Sequence, residues 1–240
     1  MSIWGKLADA AAGLGVGGPL GAVLSGLGGH PVVDSEPAEP DKHLAFTIGV
    51  ISLGAKMAKV DGHVTKDEVQ AFKEAFRVPD SESQNVGRIF NQAKQHVAGF
   101  EAYAKQLARQ FRDDREMLHN ILEGLFHIAE AGRVLQTTER DYLATVARHF
   151  GIDDAEFRTI LARHYAAERD GPYQVLGVNP ETGDDDLHRH YRQLMVQNHP
   201  DKLMSRGLPQ EMVDIANKKI AAMNAAYDEI RSARLAGVRV

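Results

Sequence analysis

The sequence predicts an all-α protein: a helical bundle followed by a small C-terminal helical hairpin. Three observations carry that prediction. The 240 residues are 43% hydrophobic but only 7% aromatic, with 9 prolines, and are rich in the helix formers Ala, Leu, Glu, Gln and Arg. From Lys42 onward, apolar residues recur at spacings of three and four. Glycine, which helix interiors disfavour, falls between these stretches, at Gly62, Gly132, Gly151, Gly171, Gly177, Gly183 and Gly207. The composition also excludes several functions. With no cysteine there is no disulfide framework, Cys-ligated zinc, iron–sulfur cluster or thiol nucleophile. A net charge of −5 argues against a protein that coats nucleic acid.

Residues 1–41 form a segment of their own. Eight of the 22 glycines lie between Gly13 and Gly29, and no Asp, Glu, Lys or Arg occurs from Ala10 to Val33. That run matches the roughly 20 residues of a membrane-crossing helix. Gly13, Gly17, Gly21, Ser25 and Gly29 make a small-residue stripe suited to close helix approach in lipid. Trp4 beside Lys6 suits an interface anchor. Pro19 and the glycine content equally suit a disordered tail. Both readings stand, membrane association through residues 10–33 and disorder, and the stripe also allows a homo-oligomer. Residues 30–41 carry Pro31, Pro37 and Pro40 among four acids and read as an extended linker.

Residues 42–168 read as the bundle. Leu44, Ile48, Ile51, Ala55 and Ala58 share one face of a helix running to about Val60. Asp61-Gly62 stops it, and Thr65 with Glu68 forms a capping box for a second helix, to Phe76. Pro79 breaks that helix, and Asp80 or Ser81 caps the next, to about Val97. Gly99 precedes a short helix over 100–111, and Asp113 or Asp114 starts a long one to Glu130. Thr137 or Thr138 caps a helix to Phe150, and Asp153 with Glu156 opens the last, to about Glu168. Residues 55–76 and 125–147 repeat one pattern of helix, glycine turn, valine, Thr cap and helix, as in a pair of related hairpins. Asp61 and Glu68 flank the first turn, Glu130 and Glu139 the second. Oxygen ligands of this kind suit calcium or magnesium, although turn and capping chemistry also accounts for them.

The stretch from Asp61 to Glu68, Asp-Gly-x-Val followed by Glu, resembles the signature turn of the TerB family, named for tellurite resistance. The resemblance implies a helical fold in which Asp61 and Glu68 are candidate metal ligands. The second copy departs from it, with Ala131 in place of the aspartate.

Residues 169–240 read as the hairpin unit. Gly171-Pro172-Tyr173 starts a short helix, and residues 179–183 form a turn. Asp184 or Asp185 caps a second helix, with three acids at its positive end. Leu187, Tyr191 and Leu194 make its apolar stripe, and it ends near Asn198 because His199 precedes Pro200. A polar loop is expected from Pro200 to Gly207, and Pro209 opens a third helix with the stripe Met212, Ile215, Ile220, Met223, Tyr227 and Ile230. No nucleophile with a supporting motif accompanies His199 and Asp201, so no catalytic residue is assigned.

The short helix, the run LHRHYRQLMVQNHPDK and the helix containing AAMNAAYDEI resemble a J domain over about 70 residues. The resemblance implies binding to a DnaK-type Hsp70 and stimulation of its ATP hydrolysis. It implies that His199, Pro200 and Asp201 engage the ATPase and that Arg189, Arg192, Lys202, Asn198 and His188 contribute to docking. Tyr191, Leu194 and Tyr227 would be core residues. His188 and His190 make this helix less basic than is usual, so docking is expected to strengthen on their protonation below about pH 6.5.

Gly-rich start, TerB-like bundle and J domain, in that order, resemble the DjlA type of bacterial co-chaperone. That implies a non-enzymatic co-chaperone in the bacterial cytoplasm or on the cytoplasmic face of the inner membrane, with the bundle targeting or regulating the J domain. No nucleic acid partner and no cofactor are implied, apart from calcium or magnesium in the bundle. The alternatives are a stress-linked metal-binding module, or a membrane scaffold, with the J domain secondary. About five residues, 168–172, separate the two units, so a fixed relation between them is expected.

Overall fold

The computed structural model describes residues 42–60, 83–95, 99–130, 135–165, 171–205 and 213–237, with single positions at 70, 73, 78 and 80. The N-terminal segment, its glycine stripe, Asp61, Glu68 and Thr65 lie outside the described residues. So do Pro209 and Met212. All regular structure among the described residues is helical.

The bundle is built around α1 (Lys42–Val60). Every described side chain from Ile48 to Met57 is buried, not one face of the helix as the spacing predicts. The reason is apolar and small residues all round, which suit a central helix rather than a surface one. α2 (Ser83–Gln95), α3 (Phe100–Gln110), α4 (Arg115–Glu130) and α5 (Thr137–His149) pack around it. At Gly49 a Cβ would lie 2.5 Å from a Leu107 methyl, so the Leu107 side chain packs directly on the backbone of α1 and would have to move for any larger residue. The Tyr142 hydroxyl donates to the Leu53 carbonyl at 2.7 Å and ties α5 to α1.

Local caps set the helix starts. Asp114 accepts from the Met117 amide, as expected, and Asp153 accepts from the amides of Ala155 and Glu156 at the start of α6 (Asp154–His164). Two expected caps are corrected. Gln136, not Thr137 or Thr138, occupies the N-cap of α5, and its amide donates to Glu139 at 2.9 Å. That bond gives Glu139 a capping role in place of the metal reading. α6 gives way at Tyr165, short of the expected Glu168, because the chain there leaves helical geometry.

The second unit comprises α7 (Pro172–Leu176), α8 (Asp184–Asn198), α9 (Pro200–Ser205) and α10 (Val213–Leu235). Gly177 ends α7 in the left-handed conformation, φ +69°. Gly183, not Asp184 or Asp185, is the N-cap of α8, which frees Asp184 to pair with Arg234. Arg234 also donates to the carbonyls of Pro180 and Thr182 and to the Tyr173 hydroxyl, so one side chain fastens α7, the turn and α8 to the end of α10. The core holds Tyr173, Leu176, Leu187, Met223, Tyr227 and Ile230, with Tyr191 and Leu194 packed against it as expected. The rings of Tyr191 and Tyr227 stack at 4.0 Å.

The expected polar loop after Pro200 is also corrected. Residues 200–205 form a helical turn, because Leu203 is buried. Its cluster is the bundle's own, and Ile215 and Ala216 of α10 join it. In return Ala162 of α6 belongs to the second unit's core. The two units therefore share an interface, in keeping with the short connection.

Candidate functional site

The join between α8 and α9 presents the tripeptide. His199 leaves the helix at φ −59°, ψ 129°, the extended geometry that a following proline imposes. Pro200 then opens α9, where its missing amide costs nothing. The Asp201 amide donates to His199 Nδ1 at 3.3 Å, and the Leu203 amide donates to the His199 carbonyl at 3.0 Å. These bonds fix the backbone while the side chains of His199 and Asp201 stay 60% and 81% exposed. The arrangement is a stiff polar tip with an outward carboxylate and an outward imidazole.

A trough beside the tip is lined by Arg189, Arg192, Gln193, Val196, Gln197 and Lys202. Val196, the apolar residue among them, is 62% exposed. Arg189 is bound to Asp186 on the same helix at 2.7 Å. Among the described residues, Arg192 and Lys202 have no carboxylate in ion-pair range, so they carry the positive potential of this face. The structure thus brings together His199, Pro200, Asp201, Arg189, Arg192 and Lys202. It places Asn198 and His188 elsewhere. Asn198 is buried and its side-chain amide donates to the Leu194 carbonyl. His188 bonds to the Tyr227 hydroxyl at 2.8 Å, and His190 donates to the Leu176 carbonyl at 3.0 Å. Both rings are engaged within the unit rather than in the trough.

A second polar constellation lies between the units; of its members only Glu130 stands out in the sequence, as a flank of the second turn. Glu123 of α4 is 1% exposed. Its carboxylate takes Arg163 at 2.7 Å, His164 at 2.6 Å and, from α10, Lys219 at 3.3 Å. His164 also bonds Glu130 at 2.8 Å, Glu130 bonds His127 at 3.0 Å, and Lys218 lies 3.3 Å from His127. Burial raises the Glu123 carboxyl, but Lys219, His164 and Arg163 outweigh it and hold it well below the usual carboxylate range. Burial alone would lower His164, yet its bonds to Glu123 and Glu130 raise it to about 9, so the ring is a cation at neutral pH. Glu130, raised by burial and lowered more by His127 and His164, falls to about 2. Burial depresses the Lys219 ammonium, against the pull of Glu123. Arg163 and Gln174 complete the seam, donating to the Val175 carbonyl and the Thr159 hydroxyl.

Among the described residues no group of three His, Asp or Glu side chains is arranged to hold a metal ion. Nor is any described helix long and apolar enough to cross a membrane.

A short helix, two antiparallel helices and an exposed His-Pro-Asp tip between them define a J domain, here packed on a helical bundle. Residues 171–233 match the DnaJ domain, and residues 47–162 match the tellurite resistance protein TerB family. The chain carries these two matched domains in that order, and over nearly its whole length it is similar to co-chaperone proteins named DjlA. It is 27% identical over 263 residues to the co-chaperone protein DjlA of Coxiella burnetii, covering 96% of this chain and 97% of that one. It is 28% identical over 273 residues to the co-chaperone DjlA of Photobacterium profundum, covering 95% and 98%. No solved structure matches the chain.

Proposed function

We propose that the chain is a co-chaperone whose J domain binds a DnaK-type Hsp70 and stimulates its ATP hydrolysis, without being an enzyme itself. The observation that carries this is the fixed, outward-facing His199-Pro200-Asp201 tip beside a basic trough. Arg192 and Lys202 supply charge that steers an acidic surface toward the trough, and Val196 supplies apolar contact in its lining. The rigid tip then presents Asp201 and His199 without an ordering cost at the moment of binding. The bundle is the targeting or regulating part. The site of action is the bacterial cytoplasm or the cytoplasmic face of the inner membrane, which fractionation of the full chain tests against a deletion of residues 1–33.

The deciding experiment is single-turnover ATP hydrolysis by a DnaK-type Hsp70 with the full chain added. A several-fold rise, lost in His199→Gln, is expected. Equal stimulation by wild type and His199→Gln refutes the assignment.

A further inference from the structure

The short helix that follows the tip is not packed by the J domain's own core cluster. Leu203 stands two residues beyond Asp201, and its side chain is 1% exposed. It packs with the bundle's core, alongside Ile215 and Ala216 of α10, and not with the J domain's Met223, Tyr227 and Ile230. One turn further along α10, Lys219 reaches the buried Glu123 carboxylate, which Arg163 and His164 hold from the other side. Lys218 meets His127 at the edge of the same seam. The buried ion cluster holds the start of α10 onto α4, and the apolar cluster that takes in Ile215 and Ala216 takes in Leu203 of α9 with them.

We propose that the bundle is a positioning element for the His199-Pro200-Asp201 tip. Glu123 acts through Lys219, and the bundle core acts through Leu203. The proposal rests on the co-chaperone reading for its functional half. Its physical basis is that a six-residue helix does not hold itself together in water. With that apolar contact withdrawn, Leu203 meets solvent and the hydrogen bond from the Leu203 amide to the His199 carbonyl opens. Asp201 then loses its fixed direction. Of the residues named in the trough only Lys202 stands on α9; Arg189, Arg192, Gln193, Val196 and Gln197 stay on α8, so most of the docking surface survives while stimulation falls.

The test uses the full chain with Ile215→Asp, which puts a charge where α10 joins the bundle's core and leaves Leu203 and the J domain's own core unchanged, and with Glu123→Gln. Amide exchange over residues 202–205 is expected to quicken about tenfold at unchanged helicity. Maximal Hsp70 stimulation is expected to fall about fivefold or more, while the half-saturating concentration moves by less than about twofold. In the Ile215→Asp background, His127→Cys and Lys218→Cys supply the only thiols of a chain that has no cysteine. A short bismaleimide joining them is expected to restore both exchange protection and stimulation. Unchanged exchange, quickened exchange with full stimulation, or a loss the cross-link does not restore overturns the proposal. Failure of wild type to stimulate refutes the co-chaperone reading instead. Exchange over 202–205 then still decides whether the bundle holds the tip.

Discussion

Raising the pH from about 6 to about 10 should weaken the seam through one residue, His164. Protonated, its ring donates to Glu123 at 2.6 Å and to Glu130 at 2.8 Å. Deprotonated, it can donate only one of those bonds, and a lone pair faces the other carboxylate. Its pKa in the fold is about 9 against the ordinary 6.5. A folded value above the unfolded one gives stability that is complete below 6.5 and lost as pH rises through 9. The gap corresponds to about 3 kcal/mol. For a chain of this length that is about 6–12 °C in melting temperature. Lys219 works in the opposite sense, because burial depresses its ammonium, so the comparison with His164→Gln isolates the imidazole. Melting curves of both proteins across this range, with the ring followed by NMR, provide the assay. Parallel curves, or an imidazole resonance that titrates near 6.5, would refute the reasoning.

Three further outcomes follow from single contacts. Arg192→Ala should weaken Hsp70 association several-fold in low salt, and Arg189→Ala by less, because Asp186 already holds Arg189; salt-dependent binding titrations read the difference. Gly177→Ala should cost about 1–2 kcal/mol in denaturant unfolding, because φ is +69° and the added carbon would sit 3.3 Å from Thr159 of α6. Tyr142→Phe should cost about 1 kcal/mol in the same assay by removing the buried bond to the Leu53 carbonyl, with no effect on Hsp70 stimulation.

The helices and the tip are legible in the sequence because both rest on local chemistry. Asp114, Asp153 and Glu156 cap where their spacing says, and Pro200 forces His199 out of the helix. What local chemistry cannot show is which polar face meets water. Glu116, His119, Glu123, His127 and Glu130 recur along α4 like a solvated stripe. In the structure Asn120 and Glu123 on that side are buried, with the J domain's Lys219 paired to Glu123. The sequence does carry a signal in Lys219, near the start of a helix otherwise rich in alanine: Ile215, Ala216, Ala222 and Met223 stand three and four residues from it, so no carboxylate of its own helix pairs with it there. Leu203 is hidden for a related reason. A lone leucine in a polar stretch shows its burial only through partners on other elements, Ile215 and Ala216 of α10 and the bundle core they join.

The shared core bears on how far these parts can be treated as interchangeable modules. A cut between Tyr165 and Gly171 separates two family matches but divides one interior. A liberated J fragment carries Leu203, Ile215 and the aliphatic stem of Lys219 into water. The bundle left behind keeps an acidic hole at Glu123, ringed by Arg163 and His164. A chimaera made with a foreign J domain therefore inherits a mismatch in both shape and charge. Grafts that carry α4 and α6 along with the J domain would transplant the interior whole.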